Sequence, residues 1–283
     1  MKDDTESPSA RNVETADGEQ ISSRATRKHS TPLQKILVVI GSISLAVAII
    51  TLTFMVLLTP WPTQFFASKY VDDADSPMSH DYLVEVACQT LEYSNGNKDA
   101  DLPVGDDYRT SFTPDVFEHL DDVAVFFTGM KVAAVVSSVV LAVVLFALWR
   151  TTRRWGSSGK HVKGPDGLAA SAGEASGDSQ KFKLMVSRTL LAGVVIVLAL
   201  LLLIAIAAFI DFNTIFNALH SLFFSADSWL FPYDSLLICS LPERFWEAMA
   251  ALWAVMLLVV MVVLIVVAVV LRKKSKRAAL VEK

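Results

Sequence analysis

Apolar residues fall along this chain in four long unbroken runs, Ile36 to Leu58, Val123 to Leu148, Leu190 to Ile210 and Ala248 to Leu271, separated by polar stretches. Each run is long enough to cross a hydrocarbon core of ~30 Å at ~1.5 Å per residue, for which about 20 helical residues suffice. No run contains a proline. Valine and isoleucine are abundant in them, but a membrane strand needs only about 9 to 11 residues of alternating polarity, so length decides for helices. The first run follows Arg24, Arg27, Lys28 and Lys35, as a signal peptide's would, yet it is too long for one, and no small-x-small cleavage site precedes Pro60. The pattern predicts an all-α polytopic membrane protein with four transmembrane helices over 32–60, 123–149, 185–211 and 247–271.

Lysine and arginine set the expected orientation. They crowd the N-terminal tail, the middle linker (Arg150, Arg153, Arg154, Lys160, Lys163, Lys181, Lys183) and the end of the chain (Arg272, Lys273, Lys274, Lys276, Arg277). Between Trp61 and Asp122 there are only Lys69, Lys98 and Arg109, and between Asp211 and Glu247 only Arg244. The positive-inside rule then places both termini in the cytoplasm and makes 61–122 and 212–246 extracytoplasmic. Residues 1–31 are polar and poor in large apolar groups, which predicts a disordered tail. Residues 150–184 read as a basic flexible linker and 272–283 as a basic tail.

With 53 % apolar residues, the chain holds more than a soluble core needs, and the excess belongs in lipid. The net charge of −4 hides an asymmetry, because acids gather from Asp72 and Asp73 to Asp121 and Asp122 while the other face is basic. Anionic lipid headgroups suit that basic face, so membrane lipids are the expected partners and no nucleic acid is needed to explain it. Gly156-Ser-Ser-Gly159-Lys160 lacks the spacing, the following hydroxyl and the preceding strand of a phosphate loop.

Within 61–122, Leu83, Val86, Ala87, Thr90 and Leu91 recur at helical spacing with Asp81, Glu85 and Glu92 off the stripe, predicting a short amphipathic helix that ends at Ser94-Asn-Gly-Asn97. Thr113-Pro114-Asp115 then supplies a hydroxyl, a proline and an acid in the order that starts a helix, one expected to continue into the second span.

Candidate chemistry lies beside the spans. His29 and His161 fall in the tail and linker and His80 in an acidic loop, where solvation accounts for them. His119 and His220 each border an apolar run. Asp115, His119 and Asp122 share a helix face, so two carboxylates are placed to hold one imidazole. Asn213, Asn217 and His220 form a second polar stripe on what reads as an extension of the third span. The segment from Phe223 to Trp246 is dense in aromatic and turn residues, among them Trp229, Asp234 and Glu243, and suits an interfacial belt or the wall of a lipid-facing pocket. Lys131 lies inside the second run and must snorkel or find a partner. Neither HExxH nor CxxC is present, so no metal or other cofactor is expected. Cys88 and Cys239 fall one in each outer segment, where a disulfide is chemically allowed.

His119-Leu-Asp-Asp-Val123, Leu219-His-Ser-Leu-Phe-Phe224, Trp229-Leu-Phe-Pro232 and Leu241-Pro-Glu-Arg-Phe245 together resemble the motifs of a bacterial four-span membrane protein family that includes the lipoprotein intramolecular transacylase. Leu219 stands where that family's pattern has phenylalanine. The resemblance implies an acyltransferase that moves an acyl chain from the diacylglyceryl group of a lipoprotein to the amine of its N-terminal cysteine, with His119 and His220 as the catalytic pair. On that reading His119 is the expected base, held by Asp115 and Asp122, and His220 the expected donor, aided by Asn217. The competing reading is a non-catalytic envelope protein that binds a partner through its outer segments.

Overall fold

Thr31 opens the first helix with a reciprocal cap: its hydroxyl accepts from the Gln34 amide, and the Gln34 side chain accepts from the Thr31 amide. In this computed structural model, which describes residues 30–156, 167–224 and 228–281, the chain forms eight helices among the described residues. They are α1 (Pro32–Leu57), α2 (Pro60–Tyr70), α3 (His80–Ser94), α4 (Pro114–Gly156), α5 (Gly167–Ile210), α6 (Phe212–Phe223), α7 (Leu236–Ser240) and α8 (Glu243–Val281). α1, α4, α5 and α8 are long and apolar enough to cross a membrane. The expected disorder of 1–31, together with His29 and His161, falls almost entirely outside the described residues.

α1 is the hub of the four-helix bundle, packing against α4, α5 and α8. Its approach to α5 depends on small residues. A Cβ on Gly193 would stand 2.7 Å from Leu45 Cδ2 and 3.2 Å from the Ser42 carbonyl, so only glycine lets the two backbones come this close. Ser42, Thr51 and Thr53 return their hydroxyls to carbonyls one turn back, which satisfies them without water. Trp253 on α8 donates its indole N–H to the Thr53 hydroxyl at 2.9 Å.

A small helical cap covers one end. Its core joins Leu57 of α1, Ala67 of α2, Leu83, Val86 and Ala87 of α3, Phe112, Val116 and Leu120 around the start of α4, and Leu236, Cys239 and Phe245 around α7 and α8. Phe112 and Phe245 are almost fully buried, and truncating either to alanine would cost about 3–5 kcal/mol. The amphipathic stripe of α3 faces this core, capped by Ser79. After it the chain turns at Gly96, whose φ of 109° suits a residue without a side chain.

Several expectations change. Of segment 150–184, the residues up to Gly156 continue α4 and those from Gly167 belong to α5, with 157–166 outside the described residues. The tail after Leu271 continues α8 to Val281. α5 does not extend to His220: Asp211 leaves helical geometry (φ −158°, ψ 101°), and its carboxylate caps the Thr214 amide and opens α6 as a separate helix. Cys88 and Cys239 are free thiols; Cys239 is buried in the cap core, with its Sγ 3.7 Å from the Tyr233 carbonyl, and no disulfide joins them.

Candidate active site

Three elements meet where the cap joins the bundle. Val116 and Leu120 of α4 face the cap core, which carries His119 between them inward until only 9 % of it is exposed. α6 is amphipathic: Phe212, Ile215, Phe216 and His220 lie on its half-buried side, while Asn213, Asn217 and Ser221 are exposed. Phe224, Trp229 and Phe231 close the space between the two helices.

The imidazoles of His119 and His220 lie 6.4 Å apart between centroids, their planes 25° from parallel. Phe224 touches both rings, at 5.2 and 5.4 Å. Phe231 meets His119 edge-on at 5.7 Å, and Trp229 and Phe216 lie 5.0 and 4.0 Å from His220. Phe224 in turn leans on Phe126 of α4, which reaches Phe54 of α1, and Phe54 reaches Trp253 of α8. A column of aromatic rings therefore descends from the histidine pair into the bundle.

Burial sets the charge of both rings. His119 is pushed down to about 4, first by desolvation and then by the neighbouring His220, with Asp122 opposing weakly. His220 is also lowered by burial, against the pull of the Phe216 carbonyl. Both imidazoles are neutral at pH 7.

Hydrogen bonds then assign the tautomers. His220 Nδ1 lies 2.8 Å from the Phe216 carbonyl, which only accepts, so Nδ1 carries the proton and Nε2 presents a lone pair. Among the described residues His119 Nδ1 is buried without a hydrogen-bond partner. A proton there would strand a donor, which favours the proton on Nε2. The pair thus offers one acceptor nitrogen and one donor nitrogen in a dry aromatic setting.

The supports expected from sequence spacing are elsewhere. Asp115 is exposed, and among the described residues no carboxylate lies within 4 Å of the His119 ring; Asp122 acts on it only through space. Asn217 is exposed, its backbone carbonyl accepting from the Ser221 hydroxyl, and the ring of His220 bonds the Phe216 backbone carbonyl instead. Trp229 is in the site. Asp234 pairs with Arg109 at 3.2 Å and so braces the cap, and Glu243 is exposed in the first turn of α8. His80 sits 3.2 Å from Asp73 on the surface. Phe216 went unsingled in the sequence, although its place four residues before His220 puts it on the same helix face. No cluster of three or more metal-ligating side chains occurs among the described residues.

Four membrane-length helices under a cap, with a buried and a half-buried imidazole paired among aromatic rings at the junction, define an integral membrane protein with a histidine pair at one end of its bundle. The chain belongs to the family described as lipoprotein intramolecular transacylase Lit, whose model matches residues 37–246, and it is a Lit-like membrane acyltransferase. Its fold is shared by crystal structures of the membrane-integral lipoprotein intramolecular transacylase Lit from Bacillus cereus. One, carrying a histidine-to-arginine substitution, is 17 % identical at a TM-score of 0.59, covering 87 % of this chain and 95 % of that one. Another is 18 % identical at a TM-score of 0.57, covering 87 % and 98 %. Among curated proteins no relative matches the chain.

Proposed function

We propose that this protein moves an acyl chain from the diacylglyceryl group of a lipoprotein to the α-amine of the lipoprotein's N-terminal cysteine, at the outer face of the bacterial plasma membrane. The observation that carries the reading is the pairing of the His119 and His220 rings, 6.4 Å apart between centroids and near-parallel, with His220 Nδ1 bonded to a backbone carbonyl, among aromatic rings continuous with the bundle. The amine nitrogen attacks the ester carbonyl carbon. His220 Nε2 takes the proton that the amine sheds, and His119 Nε2–H donates to the oxyanion. As the carbon–oxygen bond breaks, His220 returns its proton to the departing glycerol oxygen, leaving an amide, an alcohol and both imidazoles neutral. These roles reverse the sequence expectation, because the Phe216 carbonyl favours the acceptor tautomer on His220 and among the described residues no carboxylate bonds the ring of His119.

In a bacterium lacking N-acylating enzymes, the chain should convert a diacylglyceryl reporter to its lyso form with the acyl group on nitrogen, read by mass spectrometry of the N-terminal peptide. His220→Ala should lose ~10²–10⁴-fold and His119→Ala ~10²–10³-fold at equal membrane abundance. Near-parent rates in both would leave only the partner-binding reading.

The cap and its histidines belong outside, on the charge asymmetry of the chain. Reporter fusions after Arg154 and Arg277 should report cytoplasm and those near Gly96 and Ser228 the outside. The reverse pattern would place the chemistry on the wrong leaflet for lipoproteins.

A further inference from the structure

At the end of the bundle opposite the histidines, α1 and α5 part around a cavity of about 290 Å³. Lys35 and Arg188 line it together with Gln34, Val38, Val39 and Met185. The two helices run parallel here, and their register is fixed where the Ser42 hydroxyl meets the Thr189 carbonyl. Lys35 lies seven residues before Ser42 and Arg188 one before Thr189, so Arg188 leaves its helix about 9 Å further along the bundle than Lys35. That places an arginine beside the apolar stretch of α1 that begins at Ile36. Neither cation is bonded to a carboxylate among the described residues. Gln34 is buried; its carbonyl oxygen is used by the Thr31 amide, which leaves its –NH₂ donors for something else.

Lys35 and Arg188 are exposed, and two cations side by side at the foot of an apolar wall suit an anion at the membrane surface. Val38, Val39 and Met185 would repel a bare hydrated ion but suit the upper part of an acyl chain. The volume is at the small end for a ligand pocket, enough for a headgroup and its first carbons while the tails stay in the bilayer. We propose that this cavity is a binding site for an anionic glycerophospholipid, its phosphate held between Lys35 and Arg188 with Gln34 as a neutral donor. The site is independent of the acyl-transfer reading, since it lies at the other end of the molecule.

The full chain, reconstituted in phosphatidylcholine nanodiscs doped with phosphatidylglycerol and then extracted for native mass spectrometry, should retain phosphatidylglycerol preferentially. K35Q/R188Q should reduce that preference at least about fivefold, the effect of losing one to two surface charges toward anionic lipid. K35R/R188K should keep it, and Val38→Trp, which fills the cavity with both charges intact, should lose it. Equal retention by the parent and K35Q/R188Q overturns the proposal. So does an equal loss in K273Q/K274Q, which would mean surface charge alone. Protection of the melting temperature by inorganic phosphate as strong as that by the lipid would make the site one for free phosphate and overturn it too.

Discussion

His119 is a residue whose neighbours decide its chemistry more than its own ring does. Burial holds its folded value at about 4, against about 6.5 in an unfolded chain. Between those values the unfolded state binds a proton that the folded state refuses, so stability is present above pH 6.5 and drains away as the pH falls toward 4. The difference corresponds to about 3 kcal/mol. Urea midpoints in detergent should therefore fall more steeply between pH 6.5 and 4 for the parent than for His119→Phe, which has nothing there to protonate. Parallel curves would show that folding does not lower the proton affinity of His119, and that the ring is not held in the desolvated setting described above. His220 is bound differently: its Nδ1 proton is committed to a backbone carbonyl that no substitution of Phe216 except by disrupting the helix removes.

At the scale of elements, α6 presents His220 without a single buried residue to anchor it, so its position rests on the junction with α5 and the ring contacts of its inner side. Asp211 makes that junction by accepting from the Thr214 amide and hydroxyl. Loss of such a cap costs about 0.5–2 kcal/mol. Asp211→Ala should lower the turnover of a reporter lipoprotein severalfold at unchanged membrane abundance, whereas Asp211→Asn, which keeps an acceptor, should retain most of it; equal turnover in all three would mean that the ring contacts alone place His220. The sequence made the four spans legible because twenty or more apolar residues in a row have few alternatives, and α3 because its stripe of Leu83, Val86, Ala87 and Thr90 has helical period. α6 was legible only as a polar stripe. Its break from α5 hinges on one aspartate following an apolar run, a local signal that the run itself overwhelms. α2 was hidden for a related reason: Pro60 and Pro62 read as the end of a span, although proline is equally at home in the first turn of a new helix. The histidine pair was legible as two candidates, but their pairing and tautomers depend on contacts about a hundred residues apart in sequence, which no spacing rule carries.

Cap and bundle form one working molecule only if the cap is held at a fixed height over the spans, since His119 belongs to the cap core and its aromatic column to the bundle. Asn95, at the C-terminal end of α3, is the polar tie between them. Its side-chain amide donates to the Leu58 carbonyl at the end of α1 at 2.9 Å, and its own carbonyl accepts from Lys131 of α4 at 3.1 Å. Lys131 sits about 12 Å along α4 from Val123, so the apolar run is overlaid by the cap on this side and the lysine finds its partner in protein. Replacing Lys131 by methionine removes the donor and keeps the stem, which suits the surrounding apolar surface, so the bundle should fold and insert as before. What should change is the cap: with the tie cut, amide exchange in α3 should quicken relative to α1, and reporter turnover should fall as His119 loses its register with His220. Asn95→Ala, which cuts only the bond to Leu58 and keeps the carbonyl that Lys131 reaches, should produce both effects in part, and adding it to Lys131→Met, which cuts the other bond, should deepen both. Unchanged exchange in α3 would mean that the apolar cap core alone sets the height, and that Lys131 is merely satisfied where it lies.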